Sequence, residues 1–199
     1  MTKRILCYGD SNTWGQVAFK EIQIPLENRW TIILGELLLD AEVISEGKCA
    51  RIAGNFETIN PDLNGQKEFK EVLQRYLPID VVVISLGTND LKKRYSRTSN
   101  QIKDDLLWYK DVTKQVCEAE GVTEPRVIYL TPPNFRSPKD YFDADDKIRT
   151  DMIELLADQS ESVSINDLEL SEDGVHISLN DHKRIAEELA IAIGRKYEK

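Results

Sequence analysis

Short apolar runs alternate along the chain with stretches whose apolar positions recur at helical spacing, the pattern of strand-helix-strand units wound around a parallel sheet. The runs that read as strands are Arg4 to Tyr8, Glu42 to Ser45, Asp80 to Leu86, Arg126 to Thr131 and Ser162 to Ile165. Val81-Val82-Val83-Ile84 is apolar at every position, which predicts a central strand covered on both faces and argues against an open antiparallel sheet. Between the runs, Trp30, Ile33, Leu34, Leu37 and Leu38 predict one core-facing helix, and Ile185, Leu189 and Ile193 mark the buried stripe of the last one. Further helices are expected near Ser99 to Glu120 and near Asp140 to Gln159. Ser178 and Asp181, three apart, predict a capping box at the start of the last helix, which puts His176 in the loop before it. His182 falls on that helix and reads as a surface or capping residue.

With 199 residues, the chain fits one domain with room for a substantial core, and neither a repeat nor a Pro/Gly-rich linker divides it. The cysteines, Cys7, Cys49 and Cys117, are odd in number and widely spaced, so no disulfide framework is expected; Cys7 and Cys117 read as buried small apolar residues. His176 and His182, the two histidines, have no metal-ligand spacing with the cysteines, so neither metal nor cofactor is expected. A net charge of -9 opposes phosphate backbones and anionic membranes, leaving a small molecule as the expected partner. No apolar stretch reaches the ~20 residues of a membrane helix. Met1-Thr2-Lys3-Arg4 runs straight into the first strand without room for a signal peptide, so the expected compartment is the cytoplasm. The oligomeric state stays open, a homo-oligomer included.

Loops at the carboxyl ends of parallel strands form the ligand crevice of such sheets. Two long irregular stretches, Arg51 to Gln66 and Thr131 to Phe142, are therefore the candidate substrate walls. Phe135, Tyr141 and Phe142 lie in the second and would line a cleft for the alcohol part of a substrate, while Trp14 would wall a small acyl pocket.

Three polar clusters fall at strand ends or just before the last helix. Gly9-Asp10-Ser11-Asn12 follows the first strand, and a serine on such a tight turn is exposed as a nucleophile once a neighbouring base takes its proton. Asp173-Gly174-Val175-His176 places a carboxylate three residues before an imidazole, close enough to hold one ring nitrogen while the other faces outward. Gly87-Thr88-Asn89-Asp90 ends the buried strand, where the Asn89 amide can donate to the oxygen that turns negative when a carbonyl is attacked. Nucleophile, base, orienter and oxyanion donor together are what ester hydrolysis requires. Cys49 has no histidine within a recognisable cysteine-hydrolase motif.

These clusters resemble, in order and over nearly the whole chain, blocks I, III and V of the SGNH, or GDSL-type, hydrolases. The resemblance implies a single-domain three-layer α/β/α sandwich, flavodoxin-like, with a parallel five-stranded sheet. It also implies Ser11 as nucleophile, His176 as general base, Asp173 as its partner, and the Ser11 N–H with Asn89 in the oxyanion hole. Block II departs from the pattern: in Glu46-Gly47-Lys48-Cys49-Ala50-Arg51, Ala50 stands where a glycine usually gives a third N–H. Alanine keeps that N–H, and the hole is expected to survive with Ala50 at negative φ. Thr13-Trp14-Gly15, Asn28-Arg29-Trp30 and Asp62-Leu63-Asn64-Gly65 resemble the branch of small arylesterases and acyltransferases. The implied activity is hydrolysis of short-chain carboxylic esters through an acyl-enzyme, with transfer of the acyl group to alcohols as a second outcome. The alternatives are a carbohydrate O-acetyl esterase, a thioesterase or lysophospholipase, and a non-catalytic flavodoxin-like binding domain.

Overall fold

Five parallel strands carry the layout of the molecule, as seen in a computed structural model that describes residues 2–58, 60–136 and 142–194. They are β1 (Lys3–Gly9), β2 (Ala41–Gly47), β3 (Val81–Ser85), β4 (Arg126–Leu130) and β5 (Glu161–Val163), side by side in the order β2-β1-β3-β4-β5. The helices among the described residues are α1 (Ser11–Trp14), α2 (Trp30–Leu37), α3 (Gly65–Tyr76), α4 (Ser99–Glu120), α5 (Asp146–Ala157) and α6 (Leu179–Gly194).

Alternation along the strands sorts the core into two layers. Ile5, Cys7, Val81 and Val83 face Trp30 and Leu34 of α2 and Ile185, Leu189 and Ile193 of α6. Leu6, Tyr8, Val82 and Ile84 face Phe69 and Leu73 of α3, Ile102 and Leu106 of α4 and Met152 and Leu156 of α5. The chain is thus the expected single-domain three-layer α/β/α sandwich around a five-stranded parallel sheet, and β3 is buried at every residue.

Several elements differ from the sequence expectation. β5 is three half-buried residues beginning at Glu161, earlier than the apolar run suggests, because an edge strand is covered on only part of its surface. α5 begins at Asp146, where the Asp145 side chain accepts the Lys147 and Ile148 N–H bonds and caps it. Helix α3 adds to the expected set, and Phe69, Val72, Leu73 and Tyr76 are its helical-period signal. At the start of α6 the capping box forms by halves: the Ser178 hydroxyl accepts from the Asp181 N–H at 3.4 Å, but the Asp181 carboxylate accepts from the Glu169 N–H instead. His182 is not a surface residue. It is 1% exposed, and its Nδ1 accepts the Trp30 N–H at 3.3 Å, joining α6 to the first residue of α2. Burial holds its pKa down at about 4.

Candidate active site

Ser11 leaves β1 on a turn that only small residues fit. A Cβ on Gly9 would stand 2.0 Å from Thr13 Oγ1, and one on Gly47 would stand 2.3 Å from the Trp14 backbone nitrogen. These two glycines, paired across the ends of β1 and β2, let α1 lie directly against the sheet edge. Asp10 caps α1 by accepting the Asn12 N–H at 2.9 Å. Burial pushes the Asp10 carboxyl up in pKa, against the Asn12 and Thr88 hydrogen bonds and the charges of His176 and Lys92. Helix α1 is a single turn, so Ser11 is placed by this packing and capping rather than by a long helix dipole.

On the opposite side, the turn before α6 folds around one carboxylate. Asp173 Oδ1 accepts the Val175 and His176 N–H groups, each at 3.0 Å, and Oδ2 faces His176 Nδ1 at 2.5 Å. Burial alone would raise the Asp173 pKa, but the bonds from the His176 ring and from the two backbone N–H groups hold it down at about 2. An ionised carboxylate only accepts, so Nδ1 carries the ring hydrogen and Nε2 is left as an acceptor. Nε2 lies 2.9 Å from Ser11 Oγ. The Ile177 N–H donates to Asn12 Oδ1 at 3.0 Å, tying this turn to α1. Asp173 is fully buried, while Ser11 and His176 keep a few per cent of exposure toward a cleft.

The third side is built from β3's end and the loop after β2. Asn89 Nδ2 donates to Arg51 O at 3.1 Å, which leaves its second hydrogen free. Asp90, next in the chain, accepts the Ala53 N–H at 2.8 Å and the Gly54 N–H at 3.4 Å. Burial pushes the Asp90 pKa up to about 7. The Arg51 guanidinium, only 3% exposed as a residue, donates to Gly9 O at 2.8 Å and to Glu46 O at 2.5 Å. Arg51 and Asp90 thus fix the Ala50 loop to both neighbouring strand ends. Ala50 does not have the expected negative φ: it sits at φ 60, the left-handed region that favours glycine. It still lines the cleft beside Ser11, Asn89 and His176, and neither its N–H nor that of Ser11 has a partner among the described residues.

The cleft has a volume of about 500 Å³. Trp14 and Phe142 are among the residues that line it. Phe135 instead packs its ring edge against Phe142, 5.4 Å between centroids, and stands behind the wall rather than in it. Tyr141 lies outside the described residues. The lining also includes the polar Gln16, Glu21, Thr88 and Lys92, which go beyond the expected set. Among the described residues, no group of three or more His, Cys, Asp or Glu side chains gathers as metal ligands, and no helix is long and apolar enough to cross a membrane.

Neither a protein-family profile nor a curated relative matches the chain. Solved structures do. A carbohydrate acetylesterase from Sinorhizobium meliloti aligns at 27% identity over 98% of this chain and 100% of its own, with a TM-score of 0.87. An aryl esterase from M. smegmatis aligns at 27% identity over 96% of this chain and 98% of its own, TM-score 0.86. A member of the lipolytic G-D-S-L family from Veillonella parvula shares the fold at 14% identity and a TM-score of 0.69, over 98% and 99% of the two chains. The fold is shared from end to end with these esterases, and the three sequence blocks that resemble the SGNH, or GDSL-type, hydrolases meet at one sheet edge, which together support that superfamily for this chain.

Proposed function

We propose that the protein is a serine esterase that hydrolyses short-chain carboxylic esters through an acyl-enzyme. The observation that carries this reading is the unbroken series Asp173 Oδ2, His176 Nδ1, His176 Nε2, Ser11 Oγ, with 2.5 Å and 2.9 Å between successive partners. Ser11 Oγ attacks the ester carbonyl while His176 Nε2 takes its proton, and the Asp173 carboxylate stabilises the imidazolium. The negative oxygen is met by the unpartnered N–H groups of Ser11 and Ala50 and by the free Asn89 Nδ2 hydrogen. His176 then protonates the departing alcohol. Water attacks the acyl-enzyme with His176 as base, releasing the acid and restoring the Ser11 hydroxyl; another alcohol in place of water gives acyl transfer.

A second reading, a carbohydrate O-acetyl esterase, is favoured by the cleft itself. Gln16, Glu21 and Lys92 give it polar partners for a hydroxylated alcohol in the same cleft as the apolar Trp14 and Phe142. Both readings use the same chemistry and differ in the leaving group. The test is turnover of p-nitrophenyl esters of increasing acyl length beside acetylated sugars. The proposal expects turnover that is highest for the shortest acyl groups and absent in Ser11→Ala. Retained turnover in Ser11→Ala overturns it, and a preference for acetylated sugars selects the second reading.

A further inference from the structure

Lys92 is an unusual cation for its position. It is half-buried at the edge of the cleft, and its side chain forms no ion pair among the described residues. Its Nζ donates instead to a neutral acceptor, Asn89 Oδ1, at 2.7 Å, and lies 5.4 Å from the centre of the buried Phe142 ring. The backbone leaves it little freedom, because Lys92 pairs with Ala144 in an antiparallel bridge and the Lys93 N–H donates to Asp143 O at 2.9 Å. Burial, helped by the Arg94 charge, lowers its pKa to about 8, against the pull of Asp10 and Asp90. Partly desolvating an ammonium to serve one amide oxygen works against stability unless that amide has a task.

The Asn89 carboxamide is held at both ends. Arg51 O takes one Nδ2 hydrogen, Lys92 takes Oδ1, and the second Nδ2 hydrogen is left. With Oδ1 committed to a cation, a flipped amide would set Nδ2 against Nζ, donor to donor, so the orientation is fixed. An ammonium on Oδ1 also draws electron density through the conjugated amide and strengthens the remaining N–H as a donor. That gain is largest when the acceptor carries a full negative charge, in the transition state rather than in the bound ester.

We infer that Lys92 is a positioning residue for the oxyanion hole: its ammonium orients and polarises the Asn89 carboxamide so that Nδ2 donates to the charged tetrahedral intermediate. This rests on the reading of Asn89 as an oxyanion donor. The test is a double-mutant cycle on p-nitrophenyl acetate hydrolysis, with Lys92→Met, Asn89→Ala, the double variant and Lys92→Arg, each checked for folding by thermal unfolding. Losing a whole oxyanion donor typically costs about 10²–10³ in kcat, so weakening one through Lys92→Met should cost about 10-fold, with KM within roughly two-fold. Lys92→Arg should recover most of the loss. In the Asn89→Ala background, Lys92→Met should cost nothing further.

An equal loss in both backgrounds, a loss confined to KM, or an arginine no better than methionine overturns the proposal. A slow Asn89→Ala beside a full-rate Lys92→Met overturns it while leaving the oxyanion reading intact. A full-rate Asn89→Ala beside an inactive Ser11→Ala removes Asn89 from the hole and overturns both. If Lys92→Met does not fold, Lys92→Gln takes its place in the cycle, expected to lose less kcat because it keeps a neutral donor.

Discussion

The Asp173 to His176 turn and the Lys48 to Gly54 loop flank Ser11 on opposite sides, and they are held in opposite ways. In the turn, one carboxylate collects the Val175 and His176 N–H groups and the imidazole, all within four residues of chain. In the loop, almost every restraint comes from elsewhere. The Lys48 N–H donates to Gly9 O, Ile52 N–H to Leu63 O and Tyr109 OH to Ala53 O, and Asp90 accepts from Ala53 and Gly54. The Asp173 and His176 side of the site is therefore a local unit. The other side is a loop with Ala50 at positive φ whose shape is imposed by residues far away in sequence, and damage to it can begin well away from the cleft.

The largest effects are expected in the local unit. His176→Ala should lower kcat on a short aryl ester by about 10⁴-fold or more. Asp173→Asn should lower it by less, because the amide oxygen still accepts the two backbone N–H groups that shape the turn. Steady-state kinetics on the two variants checks the ranking, and the reverse order contradicts the role given to Asp173. On the loop side, Asp90→Ala leaves the Ala53 and Gly54 N–H groups buried without their acceptor. It should cost about 2–4 kcal/mol in urea unfolding and slow hydrolysis, although Asp90 does not line the cleft.

Acid separates the two sides by sign. His182, buried near the start of α6 against the Trp30 N–H, has a folded pKa of about 4, below its ordinary 6.5, so the unfolded chain takes up its proton first. Stability from its neutral form is full above pH 6.5 and is lost as the pH falls to about 4, by roughly 3 kcal/mol. Asp90 has a folded pKa of about 7, above its ordinary 3.8, so its contribution runs the other way and stability falls as the pH rises between those values. Urea unfolding at pH 4 and pH 7 should show His182→Gln losing less stability on acidification than the wild type, and Asp90→Asn gaining less. The smallest effect is expected at Ala50. A non-glycine residue in the left-handed region costs about 1–2 kcal/mol, and glycine returns about 0.5–1 kcal/mol of that as unfolded-chain entropy. Ala50→Gly should therefore stabilise the protein by roughly 0.5–1 kcal/mol, a rise of about 2–4 °C in Tm at most.

What the sequence makes legible follows the same division. Val81-Val82-Val83-Ile84 announces a central strand because both of its faces are covered, and Asp173 with His176 announces a carboxylate paired with an imidazole because the two are three residues apart. The loop gives no such signal. Arg51 reaches Gly9 across 42 positions and Asp90 reaches Ala53 across 37, and no local pattern encodes either contact. The positive φ of Ala50 is imposed by those same restraints, so its residue type points the wrong way. His182 reads as a surface residue because its partner is a single backbone N–H at the start of α2, 152 positions earlier. Phe135 and Phe142 are equivalent in a loop sequence, yet only the fold decides which ring faces the cleft and which stands behind it.

The central claim is that the Ser11 hydroxyl is activated by the neighbouring imidazole to attack an electrophile. Labelling with a fluorophosphonate, followed by mass measurement of the intact protein and mapping of the modified peptide, tests it most directly. One adduct is expected, on Ser11, absent in Ser11→Ala and formed far more slowly in His176→Ala. An adduct on another residue such as Cys49, or none at all while aryl esters are still hydrolysed, would contradict it.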